Sequence, residues 1–219
     1  MAGQQGGLTG TITGIILAAG AGSRLRAVAA SKPLVEVAGR PLILHAIHAL
    51  RSGGVGEIVV VVGYQGAWIR EALAEIPDPV RVVDNPLWAE TPNGVSLLAA
   101  KEYVRPGSLL MMADHLLSPE LVARLLAGAD KPLALAVDRR LGHPWVDEAD
   151  VTRVRTEHGS IRAIGKHLAV YDCYDTGLFR IGPELVAALQ GLKSPGLSEG
   201  VSMLAEQGLA QAVDIGDAP

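Results

Sequence analysis

The sequence predicts an α/β fold: a mostly parallel central sheet with helices on both faces, and a small antiparallel hairpin inserted late in the chain. Three observations carry this. Short β-branched or apolar runs, Ile12–Leu17, Ile58–Val62 and Leu109–Met112, alternate with longer segments of helical spacing. Those runs have the length of buried strands, far short of the ~18 apolar residues needed to cross a bilayer. And 219 residues with 49% hydrophobic and 19% charged content exclude disorder, collagen and coiled coil, and fit one large domain.

Each element has its own signal. Pro41 opens a helix whose apolar stripe runs through Leu44, Ile47 and Leu50 to the stop at Gly53-Gly54. After Ile58–Val62, a helix over Ala67–Ile76 sets Ile69 and Leu73 four apart and ends before Pro77. Val80–Val83 is the next strand, Gly94–Val104 a helix, Leu109–Met112 a strand, Pro119–Leu126 a helix and Leu133–Val137 a strand. From Asp138 the texture changes. Val151–Thr156 and Ser160–Ile164 flank a turn at His158-Gly159, which predicts an antiparallel hairpin acting as a substrate lid. Thr176–Ile181 returns as a strand, Pro183–Gln190 and Ser198–Glu206 follow as helices, and Gln211–Ile215 begins a last strand.

A net charge of −4 provides no basic field for a polyanion, so nucleic acid is not an expected partner. The single cysteine, Cys173, excludes an internal disulfide framework and a cysteine-rich zinc site, which fits a reducing cytoplasm. The opening segment lacks the basic and apolar regions of a signal peptide. Residues 1–11 read as a flexible arm ahead of one domain over 12–219.

The chemistry concentrates in Leu17-Ala18-Ala19-Gly20-Ala21-Gly22-Ser23-Arg24-Leu25, directly after a buried strand, with Lys32-Pro33-Leu34 beyond it. Glycines let successive backbone N–H groups approach a polyanion, and Arg24 and Lys32 add a fork and a compact ammonium. The implied ligand is a nucleoside triphosphate. A Walker A loop needs Lys after its last glycine, where Ser23 stands, and a dinucleotide fingerprint needs a small residue where Leu25 stands.

This segment resembles the signature of the Rossmann-like nucleotidyltransferase superfamily, Leu-Ala-Ala-Gly-x-Gly-x-Arg-Leu followed by Lys-Pro-Leu. The resemblance continues through Arg40-Pro41-Leu42-Ile43 and Glu57–Tyr64 and covers essentially the whole chain. It implies that Leu17, Ala18, Ala19, Gly20, Gly22 and Ser23 wrap the nucleotide, that Arg24 and Lys32 are catalytic, and that Asn85–Trp88 and Thr91–Leu97, with Asn93 and Gly94, close over the base. Asp114, at the carboxyl end of a buried strand, becomes a nucleotide-site residue and the ligand of a Mg²⁺ cofactor. Simpler uses compete: Asn93 or Asp114 could cap a helix, as could Ser118.

Ile164-Gly165-Lys166 together with Asp172–Phe179 narrows the resemblance to inositol-1-phosphate cytidylyltransferases. The implied reaction joins CTP and inositol 1-phosphate into CDP-inositol and pyrophosphate; close relatives use phosphocholine, aminoethylphosphonate or sugar 1-phosphates. Residues 138–182 become the acceptor side. Lys166 would neutralise the acceptor phosphate, and Arg139, Asp175, Thr176 and Gly177 would bind the acceptor. A solvated hairpin lysine and a capped strand edge are the simpler readings. His45 and His48 lack a third metal ligand, and Cys173 reads as a small apolar residue.

The expected partners are therefore small molecules, CTP and a phosphomonoester, with no membrane insertion of this chain. The resemblance also implies a downstream membrane CDP-alcohol phosphotransferase, on a separate chain or outside this sequence. In the family, a second metal-binding acid lies in a segment like Trp-x-Asp-x-Asp-Thr-Pro, and this sequence stops at Asp214–Pro219 just before it. That predicts a C-terminal truncation. Another phospho-acceptor transferase, or a nucleotide-binding module without turnover, is the alternative.

Overall fold

A computed structural model describes residues 11–21, 31–144 and 146–216. In chain order its elements are β1 (Thr13–Ala18), β2 (Glu36–Val37), β3 (Arg40–Pro41), α1 (Leu42–Ser52), β4 (Glu57–Val62), α2 (Gly66–Ala74), β5 (Arg81–Asp84), α3 (Asn93–Ala99) and β6 (Ser108–Met112). Then come α4 (Pro119–Gly128), β7 (Leu133–Asp138), β8 (Arg153–Glu157), β9 (Ser160–Gly165), β10 (Cys173–Ile181), α5 (Pro183–Gln190), α6 (Leu197–Glu206) and β11 (Ala210–Asp214).

The main sheet has nine strands in the order β5-β4-β1-β6-β10-β7-β11-β9-β8. Its first four strands are parallel, as the repeated β–α units require. Strand β10 then enters antiparallel to both β6 and β7, because the chain reaches it from the carboxyl edge of the sheet. β11 is parallel to β7.

Period-two alternation sorts the apolar strands between two cores. Ile15, Leu17, Val59 and Val61 face a cluster that includes Leu97 of α3, Leu185 and Leu189 of α5, and Val201 and Leu204 of α6. Ile16, Ala18, Val60 and Val62 face α1, α2 and α4 through Ile43, Ile47, Ile69, Leu121 and Leu125. With both faces covered, the strands have no polar side, which is why β1 and β4 read as unbroken apolar runs.

The hairpin expected over 151–164 forms, but within the main sheet and not as a lid. Val154, Ile161 and Ile164 are buried in the same core as Leu133, Leu135 and Val137, so each strand has an apolar face to cover. Strand β8 also pairs with β10, through Cys173↔Val154 and Tyr174↔Arg153. The strands β10, β7, β11, β9 and β8 therefore close into a ring of pairings. Arg139, just past β7, ties that ring at its end: it bonds Asp172 at 2.5 Å and Thr156 at 3.2 Å, and pairs with Asp214 at 3.2 Å.

The helix expected over 94–104 is split. It stops at Ala99, and a tight 3₁₀ turn over Lys101–Tyr103 follows. Pro106 favours extended backbone at the residue before it, so the chain leaves helical geometry as it enters β6.

Gly53 ends α1 where α4 crosses it. A Cβ there would lie 2.3 Å from Cγ1 of Val122. Gly53→Ala should destabilise the protein in urea denaturation by ~1–3 kcal/mol, the usual range for overpacking. Adding Val122→Ala should recover part of the loss relative to the sum of the single changes, and strict additivity would show that the two positions do not touch.

Candidate functional site

An open cleft of about 370 Å³ lies at the carboxyl edge of the parallel strands, where β1 is flanked on one side by β4 and on the other by β6. Open α/β sheets place ligands at such a switch point. The exit of β1 forms its floor through Leu17, Ala18, Ala19 and Gly20. Two close approaches hold that floor. Tyr64 N–H donates to the Ala19 carbonyl at 3.0 Å, and a Cβ on Gly63 would sit 2.8 Å from the same oxygen and 2.6 Å from Trp88 Cβ. Gly20 differs: among the described residues, a side chain there would meet nothing within 4 Å. Gly22, Ser23 and Arg24 lie outside the described residues.

The opposite wall carries charge. A short 3₁₀ turn, Lys32–Leu34, with Pro33 buried, presents Lys32 to the end of β6. There the ammonium of Lys32 donates to Asp114 Oδ2, and His115 Nδ1 meets Asp114 Oδ1 at 2.8 Å. Burial opposes ionisation of Asp114, but the bonds and charges of His115 and Lys32 outweigh it and hold the carboxyl well below its usual range. Burial likewise opposes a charge on His115, yet Asp114 and Asp175 raise its pKa above the ordinary value.

Strand β10 supplies the underside of this cluster. Its register against β7 shifts between Asp175 and Phe179, and Gly177 adopts φ +77°. A Cβ at Gly177 would lie 3.1 Å from the His115 ring, so glycine is required both by backbone and by the imidazole above it. Thr176 Oγ1 donates to the Ala136 carbonyl at 2.8 Å across the irregular stretch. Asp175 Oδ1 accepts the Gly177 N–H at 2.7 Å, and burial pushes its carboxyl up to about 6 despite that bond and the nearby His115.

The polar end of the cleft comes from the segment between β5 and α3. Asn85 is buried; its Oδ1 accepts Leu87 N–H at 3.0 Å and its Nδ2 donates to Ser96 Oγ at 3.0 Å. Trp88, Thr91, Asn93 and Ser96 line the cleft, with Tyr64 edge-on to Trp88 at 5.2 Å. Asn93 does not cap its own helix, where Pro92 holds the cap position; its Oδ1 accepts the N–H of Leu197, the first residue of α6, at 3.1 Å. Gly94 is explained by packing, because a Cβ would lie 2.1 Å from the Pro195 carbonyl. Ser118, not Asp114, caps α4, accepting Leu121 N–H at 3.3 Å.

Lys32, Asp114 and the 17–20 backbone thus come together with Asn93, and Asp175 and Gly177 meet them through His115. Lys166 and Arg139 are not among the residues lining the cleft. Lys166 is exposed and bonded to Asp150 at 2.6 Å, and Arg139 belongs to the ring closure described above. Ser96 and Trp88 were read in the sequence only as members of the segments expected to close over the base, and His115 was given no role of its own. The signal for His115 was its place beside Asp114, and for Ser96 its spacing of three from Asn93. His45 bonds the Val37 carbonyl at 2.9 Å, and burial pushes the Cys173 thiol up to about 12, so neither joins the site.

The MobA-like NTP transferase domain matches residues 14–177 of this chain, a span running from β1 to the Gly177 bulge. The chain belongs to the MobA-like NTP transferase family. It is 42% identical over 165 residues to a bifunctional IPC transferase and DIPP synthase of Rubrobacter xylanophilus, covering 75% of this chain and 37% of the relative. It is 36% identical over 167 residues to a protein of the same description from Archaeoglobus fulgidus, covering 75% and 32%. The match thus spans only about a third of these relatives' length. Among solved structures, the inositol-1-phosphate CTP transferase from T. maritima superposes with a TM-score of 0.85 at 24% identity, over 95% of this chain and 87% of that one. That likeness establishes the NTP transferase fold.

The raised pKa of Asp175 makes a pH prediction. Its folded value of about 6 lies above the ordinary 3.8, so its contribution to stability falls as pH rises through that window and is flat above it. Asp175→Asn keeps an oxygen for Gly177 N–H and removes the titration. Relative to the wild type, its urea midpoint should climb between about pH 4 and about pH 6 and then level off. A constant difference across that range would show that Asp175 titrates normally.

Proposed function

We propose that this chain is a cytidylyltransferase that joins CTP to inositol 1-phosphate, releasing pyrophosphate and forming CDP-inositol. The observation that carries the transferase reading is the Lys32–Asp114–His115 cluster opposite the bare backbone of Ala19 and Gly20 in one cleft. The choice of substrates is supported by the names of the relatives, an IPC transferase and an inositol-1-phosphate CTP transferase.

In this reaction an ionised oxygen of the acceptor phosphate attacks the α-phosphorus of CTP in line. A new P–O bond forms as the bond to the β-phosphate breaks, and pyrophosphate leaves with the electron pair. A phosphomonoester is already ionised near neutrality, so no general base is needed. The protein has to align two anions and neutralise their repulsion. Lys32 serves the reacting phosphates, Arg24 the leaving pyrophosphate, and the backbone of residues 17–23 cradles the chain of phosphates. Lys166, with Arg139, Asp175, Thr176 and Gly177, is assigned to the acceptor side.

Asp114 fits a Mg²⁺ ligand by its chemistry: a carboxylate kept ionised at the mouth of a strand, of the kind this ion takes together with phosphate oxygens and water. No group of three metal-ligating side chains occurs among the described residues, so the substrate would complete the coordination. Bound there, the ion would neutralise charge on the triphosphate.

No helix among the described residues is long and apolar enough to cross a membrane. The relatives are bifunctional, and the product is a CDP-alcohol. We therefore assign its consumption to a membrane CDP-alcohol phosphotransferase, with this domain working on the cytoplasmic side.

Mixing the protein with CTP, Mg²⁺ and inositol 1-phosphate should release pyrophosphate, faster than with phosphocholine, aminoethylphosphonate or a sugar 1-phosphate. No release with any pair would leave a binding module without turnover. Lys32→Ala should lower turnover at least ~100-fold with the fold retained, as removal of a charge-stabilising contact does. Lys166→Ala should raise KM for the acceptor much more than for CTP, since it serves one phosphate only. Equal changes in both constants would remove Lys166 from the acceptor side.

A further inference from the structure

Asp114 and His115 are neighbours in sequence, and in an extended strand their side chains would point to opposite faces. They meet because β6 ends in a turn, in which His115 N–H reaches back to the Met112 carbonyl at 3.4 Å. His115 Nδ1 then lies 2.8 Å from Asp114 Oδ1, while Lys32 takes the other oxygen. An ionised carboxylate only accepts, and an ordinary aspartate is ionised near neutrality. The hydrogen between the two groups therefore belongs to Nδ1, whether or not the second ring nitrogen also carries one.

The other end of the ring is held as well. A Cβ on Gly177 would fall 3.1 Å from Cδ2 and Nε2 and 3.2 Å from Cε1, so the Nε2 end of the imidazole rests on the bulge of β10. Two bonds pin that bulge: Gly177 N–H to Asp175 Oδ1 at 2.7 Å, and the Thr176 hydroxyl to the Ala136 carbonyl at 2.8 Å. Among the described residues, Lys32 and Asp114 line the cleft and His115 does not.

Resting on the proposed transferase reading, we infer that His115 is a positioning residue: its Nδ1–H fixes the rotation of the Asp114 carboxylate, and the Gly177 bulge fixes the ring. With Oδ1 committed to His115, the carboxylate cannot turn about its Cβ–Cγ bond and exchange its oxygens, and Lys32 always meets Oδ2. The strand that carries Asp175 and Gly177 thereby sets the orientation of the carboxylate on β6.

Three substitutions separate the atoms of the ring. Asparagine places an amide N–H near the position of Nδ1, glutamine places one near that of Nε2, and phenylalanine keeps a ring with neither. His115→Phe and His115→Gln should lower kcat ~10- to 100-fold, the usual cost of losing a group that orients a metal-site ligand, with little change in KM for the acceptor. His115→Asn should restore most of the turnover. On the wild-type protein without substrates, long-range proton–nitrogen NMR should find the hydrogen of the His115 ring on Nδ1.

Rescue by glutamine and not by asparagine would make Nε2 the working atom and overturn the assignment. So would asparagine doing no better than phenylalanine, all three variants matching the wild type, or a rise in acceptor KM at unchanged kcat. If a variant does not fold, the wild-type spectrum decides, and a bare Nδ1 overturns the inference. A wild type that releases no pyrophosphate would sink the transferase reading, while the spectrum would still test the bond between His115 and Asp114.

Discussion

The direction of β10 is the constraint on which the rest of the molecule depends. Because it runs against both β6 and β7, its first residues arrive at the edge where β6 delivers Asp114 and β7 delivers Asp138. A parallel strand in that place would have carried Asp175 and Gly177 to the opposite edge. The same reversal lets Cys173 and Tyr174 pair with β8, which closes the ring of five strands and converts the late hairpin into a wall. One topological choice therefore closes the ring and sets a glycine bulge under the imidazole that holds Asp114.

The charge cluster at this seam is poorly explained as a stabilising device. Lys32 and Asp114 keep about a third of their side-chain surface in water, and ion pairs so exposed contribute ~1 kcal/mol or less. Two hydrogen-bonding groups on one carboxylate exceed what pairing requires. The arrangement makes sense as a place where charge is held ready: Asp114 stays ionised, Lys32 stays next to it, and His115 fixes its rotation from the far oxygen. Strongly perturbed groups held in a cleft by named partners are a recurrent mark of function. The register shift at Gly177 serves the same cluster, since it seats a glycine without a Cβ directly beneath the His115 ring.

Local signals made the parallel half of the fold legible. β1 and β4 are apolar without interruption because they are covered twice, and α1 and α4 announce their first turns with proline. Strand direction is different. Periodicity reads which faces are buried but not which way the chain runs, so β10 was legible as a strand and not as an antiparallel one, and the hairpin was legible while its place in the sheet was not. In the site, Lys32 and Asp114 stood out by residue type and strand context. His115 did not, because its meaning comes from Gly177, which only folding brings beneath it. Arg139 was expected on the acceptor side, and nothing local shows that it also pairs with Asp172 and Asp214. Gly94 was expected beside Asn93 in the segment that closes over the base, and the long-range contact that leaves no room for a Cβ there, with the carbonyl of Pro195, has no local signal.

These long-range ties set two differently held regions side by side. The cleft rests on β1, β4 and α3, whose positions are fixed by apolar burial on both faces and by α3 packing on the α5–α6 turn. Beside it the ring has a polar end laced by Arg139, Thr156, Asp172 and Asp214. The two share one core, in which Leu17 and Val61 lie with Val137 and Val154, and they also meet along the β6–β10 seam, where His115 faces Gly177. Polar lacing at an exposed edge tolerates substitution better than a core packed to crystal density. On the proposed reading, a fold built this way can change the acceptor bound beside the ring while the triphosphate cradle stays in register. On that same reading a residue at the seam answers to both substrates at once, which is where alignment of the two phosphates has to be enforced.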